Sequence, residues 1–160
     1  MARLKPGDPA PDFSALATDG SRVSLGDFRG RKLVLYFYPM DDTPGCTAQA
    51  CSLRDHDQEI AAAGAAILGV SAQDAASHKK FTAKYNLNFP LLADTDRSVA
   101  RAYGAIGGGI GGVLRGMLGV AERVTFIIDE KGQIAHVIDS PDTANHAAQV
   151  LKLLRSNGRA

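Results

Sequence analysis

The stretch Leu33-Val-Leu-Tyr-Phe-Tyr38-Pro39-Met-Asp-Asp-Thr43-Pro-Gly-Cys46-Thr-Ala-Gln-Ala-Cys51 decides how this chain folds. Its first part, Leu33 to Tyr38, is a continuous apolar run rich in β-formers. Such a run predicts a central strand covered on both faces, and Pro39 ends it. The second part predicts a helix from about Cys46 to Ala63, with Gly64 as the residue just past its end. The only two cysteines of the chain lie in this stretch, Cys46 at the strand-to-helix junction and Cys51 five residues on.

Outward from this unit, the pattern alternates. Residues 1–12, rich in Pro and Gly, predict an extended lead-in. Phe13 to Ala17 and Arg22 to Ser24 predict an N-terminal β-hairpin turning at Thr18-Asp-Gly20-Ser. Ala65 to Val70 is a second buried strand. Asp74 to Tyr85 is a helix capped near Ser71 to Asp74. Leu91 to Ala93 is a short strand, and Asp94-Thr-Asp96 caps a brief helix ending at Tyr103. Val124 to Ile128 and Gln133 to Ile138 predict a second hairpin. A last helix spans about Asn145 to Arg155, with Val150, Leu151 and Leu154 on one face and Gly158 beyond it. The order implies an α/β fold: a central mixed β-sheet flanked by helices, in a single domain over residues 1–160.

Composition excludes several function classes. A net charge of +1 provides no field to draw nucleic acid or an anionic membrane. No run approaches the roughly 18 apolar residues of a membrane span. The start, Met1-Ala-Arg-Leu-Lys-Pro-Gly-Asp8, lacks the apolar core of an export signal, so the cytoplasm is the expected compartment. That compartment keeps thiols reduced, and a close cysteine pair there is more often catalytic than structural.

Cys46 falls at the carboxyl end of a predicted central strand, where open α/β sheets gather their ligands. Thr-Pro-Gly precedes it, so it opens the helix rather than sitting inside it. Free N–H groups and the positive end of the helix dipole then favour a thiolate. Five residues of helix rise about 7.5 Å and turn about 140°, which separates the Cα atoms of Cys46 and Cys51 by about 8.7 Å. A disulfide needs less than about 7 Å. The pair therefore bonds only if the first turns unwind: a helical reduced form and a locally unfolded oxidised form. A metal site from Cys46, Cys51 and His56 is disfavoured, because the three do not share a helix face and no fourth ligand is evident.

These residues resemble the peroxiredoxins, specifically the Q-type (bacterioferritin comigratory protein) subfamily. The motif Pro-x-x-x-Thr/Ser-x-x-Cys is matched by Pro39, Thr43 and Cys46, and the subfamily's resolving cysteine by Cys51. Similar stretches follow in order: Gly7 to Phe13, Gly69-Val-Ser71, Ser77-His-Lys-Lys-Phe81, Phe89 to Asp94 and Arg123 to Asp129. The resemblance implies a thioredoxin-like fold and a thiol peroxidase acting on hydrogen peroxide and organic hydroperoxides. It implies that Cys46 is oxidised to a sulfenic acid, that Cys51 condenses with it, and that thioredoxin or a similar dithiol reduces the disulfide. It assigns Thr43 to hydrogen-bond the peroxide, Pro39 to shield the thiolate, and Arg123 to stabilise it. It implies no metal or organic cofactor, and a monomer. Without it, Arg123 would read as a solvated strand-end charge.

The chain departs from the subfamily at Met40, where Lys is common, and at Gln49, where Glu is common. Gln49 either leaves more positive charge for the thiolate or loosens the arginine. In the glycine-rich segment Gly104 to Val120, Ile106, Ile110, Val113, Leu114, Met117 and Leu118 offer an apolar rim, a dimer contact or a loop folded on itself, the last being the expectation. Gly107-x-Gly109-x-x-Gly112 there lacks the strand and helix of a dinucleotide site. His56, His78 and His146 are expected to be solvated on polar helices, and His136 to be a satisfied core or edge histidine. Two other functions remain open on the residues alone. A thiol–disulfide oxidoreductase is opposed by the missing Cys-x-x-Cys, and a redox sensor has no added domain or charged patch in its favour.

Overall fold

A computed structural model of the chain describes residues 4–106 and 122–157. Its strands form one mixed sheet: β1 (Ser14–Ala17), β2 (Arg22–Ser24), β3 (Lys32–Phe37), β4 (Ala65–Ser71), β5 (Leu91–Ala93), β6 (Val124–Ile128) and β7 (Ile134–Ile138), in the order β2-β1-β5-β4-β3-β6-β7. β3, β4 and β5 run parallel, while β6 lies antiparallel to β3 on its other side. The helices are α1 (Pro44–Asp55), α2 (Asp57–Ala62), α3 (Ala75–Tyr85), α4 (Ser98–Ala102) and α5 (His146–Asn157), with short 3-10 turns at Leu25–Phe28 and Thr143–Asn145.

β3 is the centre of the molecule, and all six of its residues are buried. Because side chains alternate along a strand, Leu33, Leu35 and Phe37 enter one core with Phe13, Val70, Tyr103 and Phe126. Val34, Tyr36 and Tyr38 enter the other with Leu53, Ile60, Phe81, Val150 and Leu154. The expected double coverage of this run, the N-terminal hairpin and the mixed sheet are all present.

The long helix expected from Cys46 to Ala63 is instead two helices. α1 begins earlier, with Thr43 at the N-cap and Pro44 in the first turn, a position where a missing N–H costs nothing. It stops at His56, whose backbone (φ −120°, ψ 18°) leaves the helical region and whose N–H closes a tighter bond to Leu53 O at 3.2 Å. α2 then ends at Ala62 with Ala63 as its C-cap, and Gly64 takes the left-handed conformation (φ 85°) expected of a residue past a helix end.

On α1 the buried residues are Cys46, Gln49, Ala50 and Leu53, the spacing of one helix face. Cys46 is thus on the face turned to the core, and Leu53 anchors the far end of that face. Burying a leucine fully contributes about 1.5–3 kcal/mol. The first two turns bury only small or polar side chains, so little apolar area holds them down.

From Gly107 onward the glycine-rich segment lies outside the described residues, as do Ile110, Val113, Leu114, Met117, Leu118 and Gly158. Ile106 is half-buried against the core, and the Glu122 N–H donates to Ala105 O at 2.7 Å. No helix among the described residues is long and apolar enough to cross a membrane.

Candidate active site

The sheet brings the site together. β3 ends at Phe37, and its antiparallel partner β6 starts opposite, with Phe37 paired to Val124. The residue before Val124 is Arg123, which therefore emerges beside the turn leading into α1. Its Nη2 lies 3.3 Å from Cys46 Sγ, and its Nη1 donates to Gln49 Oε1 at 2.7 Å. Gly45 makes room: a Cβ there would stand 3.1 Å from Arg123 Nη2.

Cys46 is 1% exposed and free, while Cys51 is half-buried and also free. Helix α1 is continuous across both, which is the form expected of the dithiol. Cys46 occupies the third helical position. The first intrahelical bond runs from Thr47 N–H to Thr43 O at 2.8 Å, so the N–H groups of Gly45 and Cys46 precede it and have no helical acceptor. A sulfur at this point meets the positive end of the helix and a guanidinium, two features that favour a thiolate.

Thr43 sits at the N-cap, but its side chain makes no capping bond; the hydroxyl donates instead to Met40 O at 3.1 Å. That spends the hydroxyl's only proton on the turn and leaves its oxygen lone pairs as acceptors. Pro39 is half-buried, and its carbonyl accepts from Gln73 Nε2 at 3.4 Å. Cys46, Arg123, Thr43 and Pro39 thus lie on or directly beside one turn of chain, with Cys51 one and a half helical turns on. Gln49 holds the arginine rather than loosening it. As a neutral acceptor it does so without cancelling the guanidinium charge, and its Nε2 is buried with no partner.

The residues fixing this turn are not marked by local sequence pattern. Asp41 accepts from Tyr38 Oη, Ser77 Oγ and His78 Nδ1, each at 2.7 Å. Burial alone would raise its carboxyl, but the bonds from His78, Tyr38 and Ser77 outweigh that and hold it below the ordinary carboxylate range. Asp42, with its backbone at φ 61°, accepts from Lys84 Nζ and Tyr85 Oη, both at 2.8 Å. Gln73 adds a bond from Asp41 N–H to its Oε1 at 3.0 Å. The available signal was the acidic pair Asp41–Asp42 beside the cysteine motif, together with the polar residues of α3.

Three histidine expectations are corrected. His78 and His146 are fully buried, not solvated. α3 buries only His78 and Phe81, so the histidine supplies half of its inner face. His146 begins α5 beneath β6, with Nε2 2.9 Å from Thr125 Oγ1 and Nδ1 3.0 Å from Gln149 Oε1, and burial pushes its pKa down. His136 is also not satisfied: its Nε2 is buried without a partner. His56 is exposed as expected. Among the described residues, no three of His, Cys, Asp or Glu are gathered so as to hold a metal ion.

Known proteins share this arrangement of chain. The AhpC/TSA family profile matches residues 6–137. Peroxiredoxin Bcp of Escherichia coli (strain K12) is 42% identical over 159 residues, covering 98% of this chain and 99% of the relative. The chloroplastic peroxiredoxin Q of Oryza sativa subsp. japonica is 39% identical over 155 residues, 96% of this chain and 68% of the relative. Among solved structures, a mutant of PrxQ from Xylella fastidiosa superposes with a TM-score of 0.89 at 26% identity, covering 99% of each chain. The bacterioferritin comigratory protein of Xanthomonas campestris, studied for alkyl peroxide reduction, gives 0.83 at 32% identity over 98% of each chain. A mixed sheet of thioredoxin-like build, a full-length match in sequence and a full-length match in structure agree: the chain belongs to the AhpC/TSA family as a peroxiredoxin of the Bcp and Q kind, a thiol-dependent peroxidase that reduces a hydroperoxide with electrons from a thiol.

Proposed function

We propose that Cys46 is the thiol that attacks the peroxide and that Cys51 resolves the product within the same chain. The observation that carries this reading is the 3.3 Å contact between Cys46 Sγ and Arg123 Nη2 at the start of a helix that also holds Cys51. The Cys46 thiolate attacks the distal oxygen of ROOH: a sulfur–oxygen bond forms, the O–O bond breaks, and the leaving alkoxide takes a proton to become ROH. Arg123 stabilises the thiolate first and then the charge growing on the leaving oxygen. Thr43 Oγ1 accepts the peroxide O–H, its own proton being held by Met40 O. Pro39 keeps water from the sulfur.

The Cys46 sulfenic acid then condenses with the Cys51 thiol, releasing water and leaving a disulfide. This step needs the first turns of α1 to open, because an intact helix holds the two Cα atoms about 8.7 Å apart. The small side chains buried in those turns make the opening cheap. Thiolate attack by thioredoxin or a similar dithiol returns both cysteines to thiols. Organic hydroperoxides are included as substrates, supported by the alkyl peroxide activity of the Xanthomonas protein. We read the chain as a single domain acting as a monomer in the cytoplasm, where thiols are kept reduced. Neither step asks for a metal or an organic cofactor.

The test is to mix the reduced protein with one equivalent of hydrogen peroxide and follow thiol loss by stopped flow. Wild type is expected to lose two thiols rapidly, Cys51→Ser to stop at a sulfenic acid, and Cys46→Ser to be inert. A wild-type rate no faster than that of free cysteine overturns the assignment.

A further inference from the structure

His78 is fully buried on α3, and both of its ring nitrogens face acceptors. Nδ1 is 2.7 Å from Asp41 Oδ2, and Nε2 is 2.8 Å from the Leu92 carbonyl oxygen of β5. A backbone carbonyl only accepts, so Nε2 carries a proton. The Asp41 carboxylate, already accepting O–H bonds from Tyr38 and Ser77, also only accepts when ionised, so Nδ1 carries a proton too. The ring is then an imidazolium paired with a carboxylate whose side chain is 5% exposed. His146 differs: one nitrogen faces a hydroxyl that can donate, so a neutral tautomer satisfies it.

A buried ion pair is weak evidence for stability, since desolvating two charges offsets their attraction; fixing one geometry among several is a better-attested use. Here the geometry in question is the turn from Pro39 to Thr43. Asp41 lies two residues from each. Its N–H is tied to Gln73, the next residue is held at φ 61° by Lys84 and Tyr85, and Met40 O orients the Thr43 hydroxyl. The other titratable groups nearby are Tyr38, whose ring centroid is 6.3 Å from that of His78, and Asp42, Asp74, Lys80 and Lys84, which line one hollow with Asp41.

We propose that His78, as an imidazolium, is a positioning residue for the peroxide reaction: by holding Asp41 it fixes the turn that presents Pro39 and Thr43 to Cys46. This rests on the reading of Cys46 as the thiol that attacks the peroxide. The hydrogen bonds of the pair run to Tyr38, Gln73, Ser77 and Leu92, and those of Arg123 to Gln49 and Cys46, so the pair acts on where the peroxide sits rather than on the thiolate.

Two reactions of Cys46 separate these effects, measured in a Cys51→Ser background. Oxidation by hydrogen peroxide needs the turn, whereas alkylation by iodoacetamide needs only an accessible thiolate. His78→Gln is expected to slow oxidation by about ten- to a hundredfold, the scale of a misplaced reacting group, while alkylation stays within about threefold. Asp41→Asn is expected to act similarly, and the double variant to be no slower than either single one, because the two residues act as a unit. Unchanged oxidation, or an equal loss of oxidation and alkylation in a folded variant, overturns the proposal. Independently of any variant, a long-range nitrogen–proton NMR spectrum of the wild type at neutral pH is expected to show protons on both His78 nitrogens. A single neutral tautomer overturns the proposal, whatever the variants do. If Cys46 is not the attacking thiol, wild type itself is slow with peroxide while the imidazolium signature persists, so the two failures are distinguishable.

Discussion

Replacing Gln49 with glutamate is expected to slow the reaction with peroxide at neutral pH without dislodging Arg123. Gln49 is fully buried and accepts from Arg123 Nη1 at 2.7 Å, while the other amino group of the same guanidinium lies 3.3 Å from Cys46 Sγ. A glutamate in that place keeps the acceptor and adds a charge. It also removes the partnerless Nε2 of Gln49, an orphan donor worth about 1–3 kcal/mol, so the fold is expected to survive. With about 6–8 Å between carboxylate and sulfur across the guanidinium and an effective dielectric of about 20, the new charge opposes the thiolate by about 2–3 kcal/mol. At 1.36 kcal/mol per tenfold, this lowers the ratio of thiolate to thiol by about 30- to 100-fold. Because the thiolate is the nucleophile, the oxidation rate of the Cys51→Ser, Gln49→Glu variant should fall by up to that factor at neutral pH and recover as the pH rises. Stopped-flow oxidation across a pH series, beside the ultraviolet absorbance of the thiolate, reads both effects. A variant as fast as its parent with an unmoved thiolate titration refutes the view that an uncancelled Arg123 charge supports Cys46.

Other perturbations follow from the same contacts. Gly45→Ala places a Cβ 3.1 Å from Arg123 Nη2; peroxide oxidation should drop by about tenfold or more as the guanidinium is displaced, and an unchanged rate would show the arginine free to shift. Leu53→Ala removes the fully buried anchor of α1 and should cost about 2–5 kcal/mol in denaturant unfolding; a loss below about 1 kcal/mol contradicts its anchoring role. Burial lowers the folded-state pKa of His146, so the unfolded chain takes up the proton first: stability is present above about pH 6.5 and declines as the pH falls through it. Melting at pH 7.5 and 5.5 should show that decline in wild type and a smaller one in His146→Gln. Asp41, whose folded-state pKa is also lowered, contributes stability that is lost only as the pH falls below about 4.

Much of this molecule is legible in its sequence, and the reason lies in particular residues. The run from Leu33 to Tyr38 reads as a doubly covered strand because no polar residue interrupts it, and the β1–β2 hairpin announces itself by Thr18-Asp-Gly20-Ser. The pairing of Arg123 with Cys46 follows from the antiparallel register Phe37–Val124, which local pattern does not carry; only the family resemblance pointed to it. The break at His56 was hidden because the composition on either side of it suits a helix equally well. The burial of His78 and His146 is hidden in the sequence because their neighbours on the helices are polar. What buried them was the partner each finds on another element, Asp41 for one and Thr125 for the other. The roles of Asp41 and Asp42 are hidden for the same reason: a carboxylate's role depends on what donates to it, and those donors lie 36 to 43 residues away, apart from the nearby Tyr38.

The central claim is that one helix carries both cysteines and must open for them to meet. Amide hydrogen exchange over residues 47–51, compared between the dithiol and the peroxide-generated disulfide, tests it most directly. The account predicts protected amides in the dithiol and lost protection from Thr47 to Cys51 in the disulfide, with Leu53 at the far end of α1 and the sheet little changed. Equal protection of α1 in both forms would contradict it, because an intact helix leaves Cys46 and Cys51 too far apart to be bonded.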